Sequence, residues 1–196
     1  MQKYKLKARK RSIDTSLTNK SQIGQDLWVI DRMKGKTDGS FVDLGGGHPI
    51  RLNNTYLLEK KYNWKGISVD MGPPGAFKCK NMSLEEYKSL WSKERSTPLI
   101  CGDALKIDYE RVFEELGFPL VIDYLSMDLA PPRITTECLK QIPFSKYQFN
   151  VITFETDSHR DKTTRKLSRE VLIPLGYLLV EWDIQEDWYI HSSFNG

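Results

Sequence analysis

Residues 40–48 have the sequence SFVDLGGGH, an apolar segment that ends in three consecutive glycines. Phe41, Val42 and Leu44 suit a buried β-strand, and an amphipathic helical pattern follows from about Asn53. A strand, a glycine loop and a helix in this order bring a nucleotide close to bare backbone, because a Cβ in the loop would collide with the ligand. This segment therefore predicts a nucleotide-binding turn at the end of the first strand.

The spacing of the glycines distinguishes two kinds of nucleotide cofactor. A dinucleotide-binding turn has the pattern G-x-G-x-x-G, but Ile50 stands where the third glycine would be. The pattern Asp43-x-Gly45-x-Gly47 instead resembles the first motif of class I S-adenosylmethionine (SAM) methyltransferases. The alternative is a glycine-rich turn of an α/β protein without a cofactor. The spacing favours SAM over NAD.

Two further acids stand at the ends of predicted strands. The next strand, at 66–70, ends in Asp70, within the roughly 20–30 residues expected for an acid that binds ribose hydroxyls. A carboxylate there accepts hydrogen bonds from both hydroxyls at once. Asp103 ends the short predicted strand segment at 98–103, a position where SAM enzymes often bind the adenine amino group. Either acid could instead cap a turn.

Length and charge bound the organisation of the chain. The 196 residues suit one domain, and a hydrophobic fraction of 39% is enough for one core. We predict a basic N-terminal arm or linker at 1–20 and a single domain at 21–196. The arm is rich in Lys and Arg, but the whole chain has a formal net charge of only +3. The charge gives no general case for a nucleic-acid partner.

No segment is long and apolar enough to span a membrane, and no apolar run of a signal peptide follows the basic N-terminus. The three cysteines have no metal-site spacing and are odd in number, which favours reduced thiols. These features predict a soluble, cytoplasmic protein.

Predicted strands alternate with helical patterns along most of the chain. After the first strand, they lie at about 66–70, 98–103, 121–127, 149–154, 177–182 and 187–191. Strands joined by helices form a parallel sheet covered on both faces, and the two consecutive strands at the end form an antiparallel pair. The fold class is thus α/β: a three-layer, Rossmann-like class I methyltransferase sheet, mostly parallel, with an antiparallel C-terminal edge hairpin.

Acids at the ends of the fourth and fifth strands suggest where a methyl acceptor would bind, since ligands of open α/β sheets collect at the carboxyl ends of strands. Asp128, Glu155 and Asp157 are the candidates, and these hard oxygen ligands could hold Mg²⁺ or Mn²⁺. Alternatively, Asp128 or His159 takes the proton of the acceptor directly. A turn-capping role for the acids and a surface position for His159 are the simpler alternatives.

Several segments in order resemble the FkbM family of SAM-dependent O-methyltransferases, over residues 21–191. They are SQIGQDLWVI, FVDLGGGHPIRLNNTYLLEKKYNWKGISVD, IDYLSMDLAPP, PFSKYQFNVITFETD, SREVLIPLGYLLVEWD and EDWYIHS. The resemblance implies a single Rossmann-like domain that transfers methyl groups from SAM to hydroxyls of sugars, polyketides and related metabolites. It implies SAM binding by Asp43, Gly45, Gly47 and Asp70, with Asp128 at the acceptor.

The chain departs from the family where many members have an acid two residues after the position of Asp128. Here that residue is Ala130, followed by two prolines, which removes one possible metal ligand. We expect a sugar or glycan acceptor, for example a deoxyhexose such as rhamnose, and a possible fusion to other glycan-processing domains. The alternatives are a nucleic-acid methyltransferase that uses the basic arm and a catalytically silent interaction module. Three aromatics could stack on a sugar but more often belong to a core: Trp182, Trp188 and Tyr189.

Overall fold

The computed structural model of the protein describes residues 18–76 and 78–196. Most of the predicted basic arm, residues 1–17, lies outside the described residues. Within the arm's last three residues, the backbone N–H of Lys20 donates to Asp26 Oδ2 at 2.7 Å, and its carbonyl accepts from Asn53 N at 2.9 Å. These two contacts hold the backbone of Lys20 against residues 26 and 53.

The described residues contain six α-helices, seven β-strands and a short 3₁₀ helix at Ala104–Lys106. In chain order the elements are α1 (Gln25–Arg32), β1 (Ser40–Leu44), α2 (Tyr56–Tyr62), β2 (Lys65–Asp70), α3 (Leu84–Glu94), β3 (Leu99–Cys101), α4 (Tyr109–Glu115), β4 (Val121–Met127), α5 (Pro132–Leu139), β5 (Gln148–Glu155), α6 (Lys162–Leu172), β6 (Tyr177–Trp182) and β7 (Glu186–His191). The alternation of strands and helices agrees with the periodicity of the sequence.

The strands form one sheet in the order β3-β2-β1-β4-β5-β7-β6. Strands β1 to β5 pair in parallel, whereas β7 is antiparallel to both of its neighbours, β5 and β6. The strand order reverses between β1 and β4, which is the point where open α/β sheets bind ligands. The predicted fold class is confirmed, including the antiparallel pair at the C-terminal edge.

Both faces of the sheet are covered, because neighbouring residues of a strand point to opposite faces. One face packs against α1 and α2, with Phe41 and Tyr124 among its buried side chains. The other face packs against α4, α5 and α6 and includes Val42 and Leu125. Strands buried on both faces explain why their sequences are apolar runs rather than alternating patterns.

Local sequence signals account for several element boundaries. A capping box of Ser83 and Glu86 starts α3, with both reciprocal hydrogen bonds. Helix α1 starts at Gln25, because Gly24 has a left-handed φ of 92° and Ser21 Oγ accepts from Gly24 N. The residues before α1 thus form a turn that places Gln22 outside the helix.

Two of the three C-terminal aromatics belong to the core, as the simpler interpretation held. Trp188 and Tyr189 are 2% and 0% exposed, whereas Trp182 lies on the edge strand with 52% exposed. None of the three lines the cavity described below. In the part of the chain that the structure describes, no helix has the length and apolarity to cross a membrane.

Candidate functional site

The glycine loop lies between the ends of the two strands that flank β1. Gly45 N donates to the carbonyl of Val69 on β2 at 2.8 Å, and Asp128 N donates to the carbonyl of Leu44 at 2.8 Å. Gly45 has a φ of 92°, and a Cβ on it would lie 1.8 Å from the carbonyl oxygen of Asp128. A glycine is therefore required at this position by both backbone conformation and space.

Gly45→Ala is expected to destabilise the protein by roughly 3 kcal/mol or more, since the side chain would meet backbone atoms that cannot move cheaply. Urea unfolding followed by circular dichroism measures the loss. Gly117→Ala is the matched control: its φ of 66° is also left-handed, but no atom lies within 4 Å of the added Cβ. Equal losses in the two variants would show that close packing against Asp128 has no effect.

Asp70 fixes the loop from the end of β2. Its Oδ2 accepts from Gly47 N at 2.8 Å, and its Oδ1 accepts from Gly72 N at 2.6 Å. The hydroxyl of Tyr87 donates to the carbonyl of Gly47 at 2.7 Å, so the loop is held from both sides. Asp103, at the end of β3, accepts from Leu105 N at 3.0 Å and caps the 3₁₀ helix. Both acids combine a turn-capping contact with a position at the ligand-binding edge.

A cavity of about 540 Å³ follows the carboxyl ends of β1 to β5, a size typical of small-molecule sites. Its lining includes most of the predicted site residues: Gly45, Gly47, Asp70, Asp103, Asp128, Glu155 and Asp157. The predicted cofactor end and the predicted acceptor end therefore belong to one continuous cavity. Asp43 and His159 are the two predicted residues outside its lining.

Asp43 lies behind the glycine loop. It is 1% exposed, and its Oδ2 accepts from Thr55 Oγ1 at 3.0 Å and from Ser68 Oγ at 3.1 Å. Burial raises the pKa of this carboxyl, while the charge of Arg95 and hydrogen bonds from nearby hydroxyls oppose the increase. These contacts suit a residue that positions the loop rather than one that touches a ligand.

Three acids line the other end of the cavity, namely Asp128, Glu155 and Asp157, and Glu186 lies next to the first two. Asp128 and Glu155 are partly accessible neighbours. The pKa of Glu155 is raised by burial and by the Asp128 carboxylate beside it. Burial also raises the pKa of Asp128. Glu186, 2% exposed, accepts from Gln25 Nε2 at 2.7 Å, and burial and Asp128 raise its pKa to about 8.

The acids do not fit the predicted Mg²⁺ or Mn²⁺ site. Among the described residues, no group of three or more His, Cys, Asp or Glu side chains is arranged to hold a metal ion. Asp157 already pairs with Arg160, whose Nη1 lies 3.0 Å from Asp157 Oδ2. Ala130, two residues after Asp128, offers no ligand either. The ligand set of Asp128, Glu155 and Asp157 is therefore without support here.

His159, the predicted alternative base, lies at the surface. Its side chain is 44% exposed, and its Nδ1 is 3.8 Å from Asp157 Oδ1. Since His159 does not line the cavity, its role as base stays a prediction that this geometry does not favour. The simpler alternative, a surface loop position, describes where the residue is found.

Sequence reasoning missed several residues that line the cavity, among them His48, Arg51 and Gln22. His48 directly follows the third glycine, and Arg51 lies three residues further on, so proximity to the loop was the available signal. The sequence contains no local signal for Glu186, because the approach of Glu186 to Asp128 depends on the pairing of β7 with β5.

Two glycines at the cavity leave open space for a ligand. A Cβ on Gly47 would meet nothing closer than 3.9 Å, and one on Gly102 would meet nothing within 4 Å, so both glycines face open space. Asn54 Oδ1 is buried and has no partner among the described residues, while Asn54 Nδ2 donates to Ser126 Oγ at 3.0 Å. Asn54 does not line the cavity, so this unpaired acceptor is not offered to a ligand there.

Comparisons with known proteins place the fold. The O-methyltransferase NovP superposes with a TM-score of 0.57 at 12% identity, over 86% of this chain and 78% of NovP. The delta-N METTL16 methyltransferase domain (TM-score 0.44, 14% identity, 83% of this chain and 77% of that one) and M. jannaschii TYW2 in complex with AdoMet (0.44, 16%, 91% and 81%) are more distant. No family model and no curated protein matches the sequence. The fold is the Rossmann-like α/β fold found in methyltransferases such as NovP.

Proposed function

We propose that this protein is a SAM-dependent O-methyltransferase of the FkbM type that methylates a hydroxyl of a sugar or glycan. The observation that carries the proposal is the single cavity with two different ends. The glycine loop and Asp70 at one end of the cavity suit a nucleoside with a charged tail. Asp128 and Glu155 at the other end suit a hydroxyl group that must lose a proton.

Each end of the cavity has a separate task. Gly47 leaves room for the cofactor, Asp70 accepts from the ribose hydroxyls, and Asp103 lies where the adenine would be. Asp43 holds the loop from behind through Thr55 and Ser68. When bound, SAM supplies a methyl group that an acceptor oxygen attacks in line as the carbon–sulfur bond breaks.

Asp128 acts as the general base in this proposal. The acceptor hydroxyl donates to the carboxylate of Asp128, which takes the proton while the oxygen gains the methyl group. Burial and the neighbouring Asp128 carboxylate raise the pKa of Glu155 to about 10, so Glu155 adds no second negative charge beside the base at neutral pH. Alignment of acceptor and donor in the cavity contributes up to about 7–11 kcal/mol to such reactions.

Carboxylates and an arginine at the acceptor end favour a polyhydroxyl acceptor. Asp157 and Arg160 lie beside Glu155 at the wall of the cavity, and their side chains can accept from and donate to neighbouring hydroxyls of one sugar ring. Leu129 and Ile134 supply an apolar wall, which suits the methyl group of a deoxyhexose such as rhamnose.

Calorimetric titration tests the cofactor. The protein is expected to bind SAM and S-adenosylhomocysteine in the micromolar range and NAD far more weakly. Asp70→Ala should weaken SAM binding by roughly 10- to 100-fold, because a charged acceptor of two ribose hydroxyls is lost. If this variant bound SAM with unchanged affinity, Asp70 would not be the residue that binds the ribose.

Because Asp70 also accepts from Gly47 N and Gly72 N, the variant's folding has to be checked by its melting temperature. Asp70→Asn is the matched variant, since its amide oxygen keeps one of these contacts. Methyl glycosides of hexoses and of rhamnose, with release of S-adenosylhomocysteine as the signal, test the acceptor class. Binding of SAM without turnover of any hydroxyl acceptor would support the silent module instead.

A further inference from the structure

His48 has a fixed ring orientation at the end of the glycine loop. Its Nδ1 lies 3.1 Å from Ile50 N and 3.2 Å from Arg51 N. Both backbone groups are N–H donors, so Nδ1 must be the unprotonated acceptor of the ring. The tautomer assigned from these hydrogen bonds carries its proton on Nε2.

The surroundings keep this ring neutral. Partial burial and the nearby charge of Arg51 lower the pKa of His48, while Glu94 opposes the effect. A neutral ring with its proton on Nε2 cannot accept the proton of a methyl acceptor, because Nδ1 is already engaged. His48 is therefore a hydrogen-bond donor at the wall of the cavity and not a base.

Arg51 lies beside His48 on the same wall. Its side chain is exposed, lines the cavity, and forms no ion pair with a carboxylate of the described residues. An N–H donor next to an unpaired guanidinium favours an anionic oxygen. His48 follows Gly47 directly and Arg51 lies three residues further on, so the anion they meet belongs to a ligand that passes over the glycine loop.

We propose that His48 Nε2–H and the Arg51 guanidinium bind the carboxylate of the methionine end of SAM. This role rests on the proposed function, which places SAM over the loop. Leu52, next in the chain, has a left-handed φ of 52°, an unusual conformation for leucine. The hydrogen bonds to the His48 ring thus hold the turn at 48–52, with its strained backbone, in a shape that presents two donors.

Two substitutions of His48 separate its two nitrogens. His48→Asn keeps an acceptor near the position of Nδ1 for the backbone N–H groups but removes the outward donor. His48→Gln places a side-chain N–H near Nε2 but loses the acceptor. If donation to the ligand is the role, the Asn variant should weaken S-adenosylhomocysteine binding by about 10- to 100-fold, and the Gln variant should stay within about threefold.

A second ligand shows which part of the cofactor His48 and Arg51 contact. 5′-Methylthioadenosine has the nucleoside and the thioether but no amino-acid carboxylate. Its affinity, measured by the same calorimetry, should be unchanged in His48→Asn and in Arg51→Gln, whereas both variants lose affinity for S-adenosylhomocysteine. Lys166→Gln, on the outer surface of α6, is the control for a lost positive charge and should alter neither affinity.

Three results would overturn the assignment. Equal loss of affinity for both ligands would make His48 a structural part of the loop. Wild-type affinity for S-adenosylhomocysteine in His48→Asn would show that His48 does not donate to the ligand. Unchanged cofactor binding with a raised KM for an acceptor glycoside would assign the anion to the acceptor. Wild-type protein that binds neither ligand would instead reject the proposed function, and the role of His48 with it.

Discussion

Asp128→Asn is expected to lower turnover by roughly 10²- to 10⁴-fold while SAM affinity stays within a few-fold of the wild type. The amide has the same shape but cannot take a proton from the acceptor hydroxyl. Asp128 follows β4, across the glycine loop from Asp70 at the end of β2, so the nucleoside contacts should persist. Release of S-adenosylhomocysteine with the acceptor glycoside that the screen identifies measures the first quantity, and calorimetry measures the second.

The stability of this variant gives an independent check. Burial and neighbouring acids disfavour a charge on Asp128, so replacing its carboxyl with an amide should not lower the melting temperature. Asp31→Asn, an exposed acid on α1, is the control and should turn over normally. Normal turnover by Asp128→Asn would show that Asp128 is not the general base.

A chelator distinguishes direct proton transfer to Asp128 from activation of the acceptor hydroxyl by a metal ion. If Asp128 takes the proton directly, EDTA should leave the wild-type rate unchanged, and added Mg²⁺ or Mn²⁺ should not raise it. Loss of activity in EDTA that returns with either ion would make Asp128 a metal ligand, in spite of the pairing of Asp157 with Arg160.

Local patterns explain how much of the fold was predictable. The strand at Phe41–Leu44, the capping box at Ser83 and the helix stop at Gly117 depend on residues within a few positions of one another. Their physical causes, burial of an apolar run, a reciprocal cap and a left-handed glycine, are the same in any protein. Element order then restricts the topology of the sheet.

Contacts between distant segments explain what the sequence left open. Asp43 was predicted to bind the cofactor from its place before the glycines, and this stays a prediction. Its side chain accepts from Thr55 and Ser68 and does not line the cavity. The direction of a side chain at a strand end depends on the residues around it. The same limit applies to Glu186, which approaches Asp128 only because β7 inserts between β5 and β6.

Arg95 illustrates this limit in the part of the fold that supports the site. Its side chain is fully buried: Nε donates to Glu59 Oε2 at 2.6 Å, Nη1 to Asn53 Oδ1 at 3.0 Å, and Nη2 to Thr55 Oγ1 at 3.0 Å. Asn53 Nδ2 in turn donates to the carbonyl of Gly46 at 2.9 Å. Arg95 therefore links α2 and the end of α3 to the glycine loop, although no local pattern marks it.

Arg95→Met is expected to destabilise the protein by about 3–5 kcal/mol, because Glu59 would remain buried without its partner. Urea unfolding at pH 7 measures the loss, and Lys93→Met, an exposed position on the same helix, is the control. The double variant with Glu59→Gln should recover part of the loss, since it removes the uncompensated charge. A loss below about 1 kcal/mol in Arg95→Met would show that the network contributes little.

Acid should weaken the same network in the wild type. Although burial raises the pKa of Glu59, the charge of Arg95 and hydrogen bonds from Thr97 and Arg95 outweigh burial and lower it from 4.5 to about 2. A folded-state pKa below the unfolded value means that this stabilisation is complete above about pH 5 and is lost as the pH falls toward 2. Unfolding free energies of the wild type should thus fall by up to about 3 kcal/mol more than those of Glu59→Gln over this range. Parallel pH profiles would mean that Glu59 is not charged against Arg95, and the glycine loop would then depend on Asn53 and Asp70 for its shape.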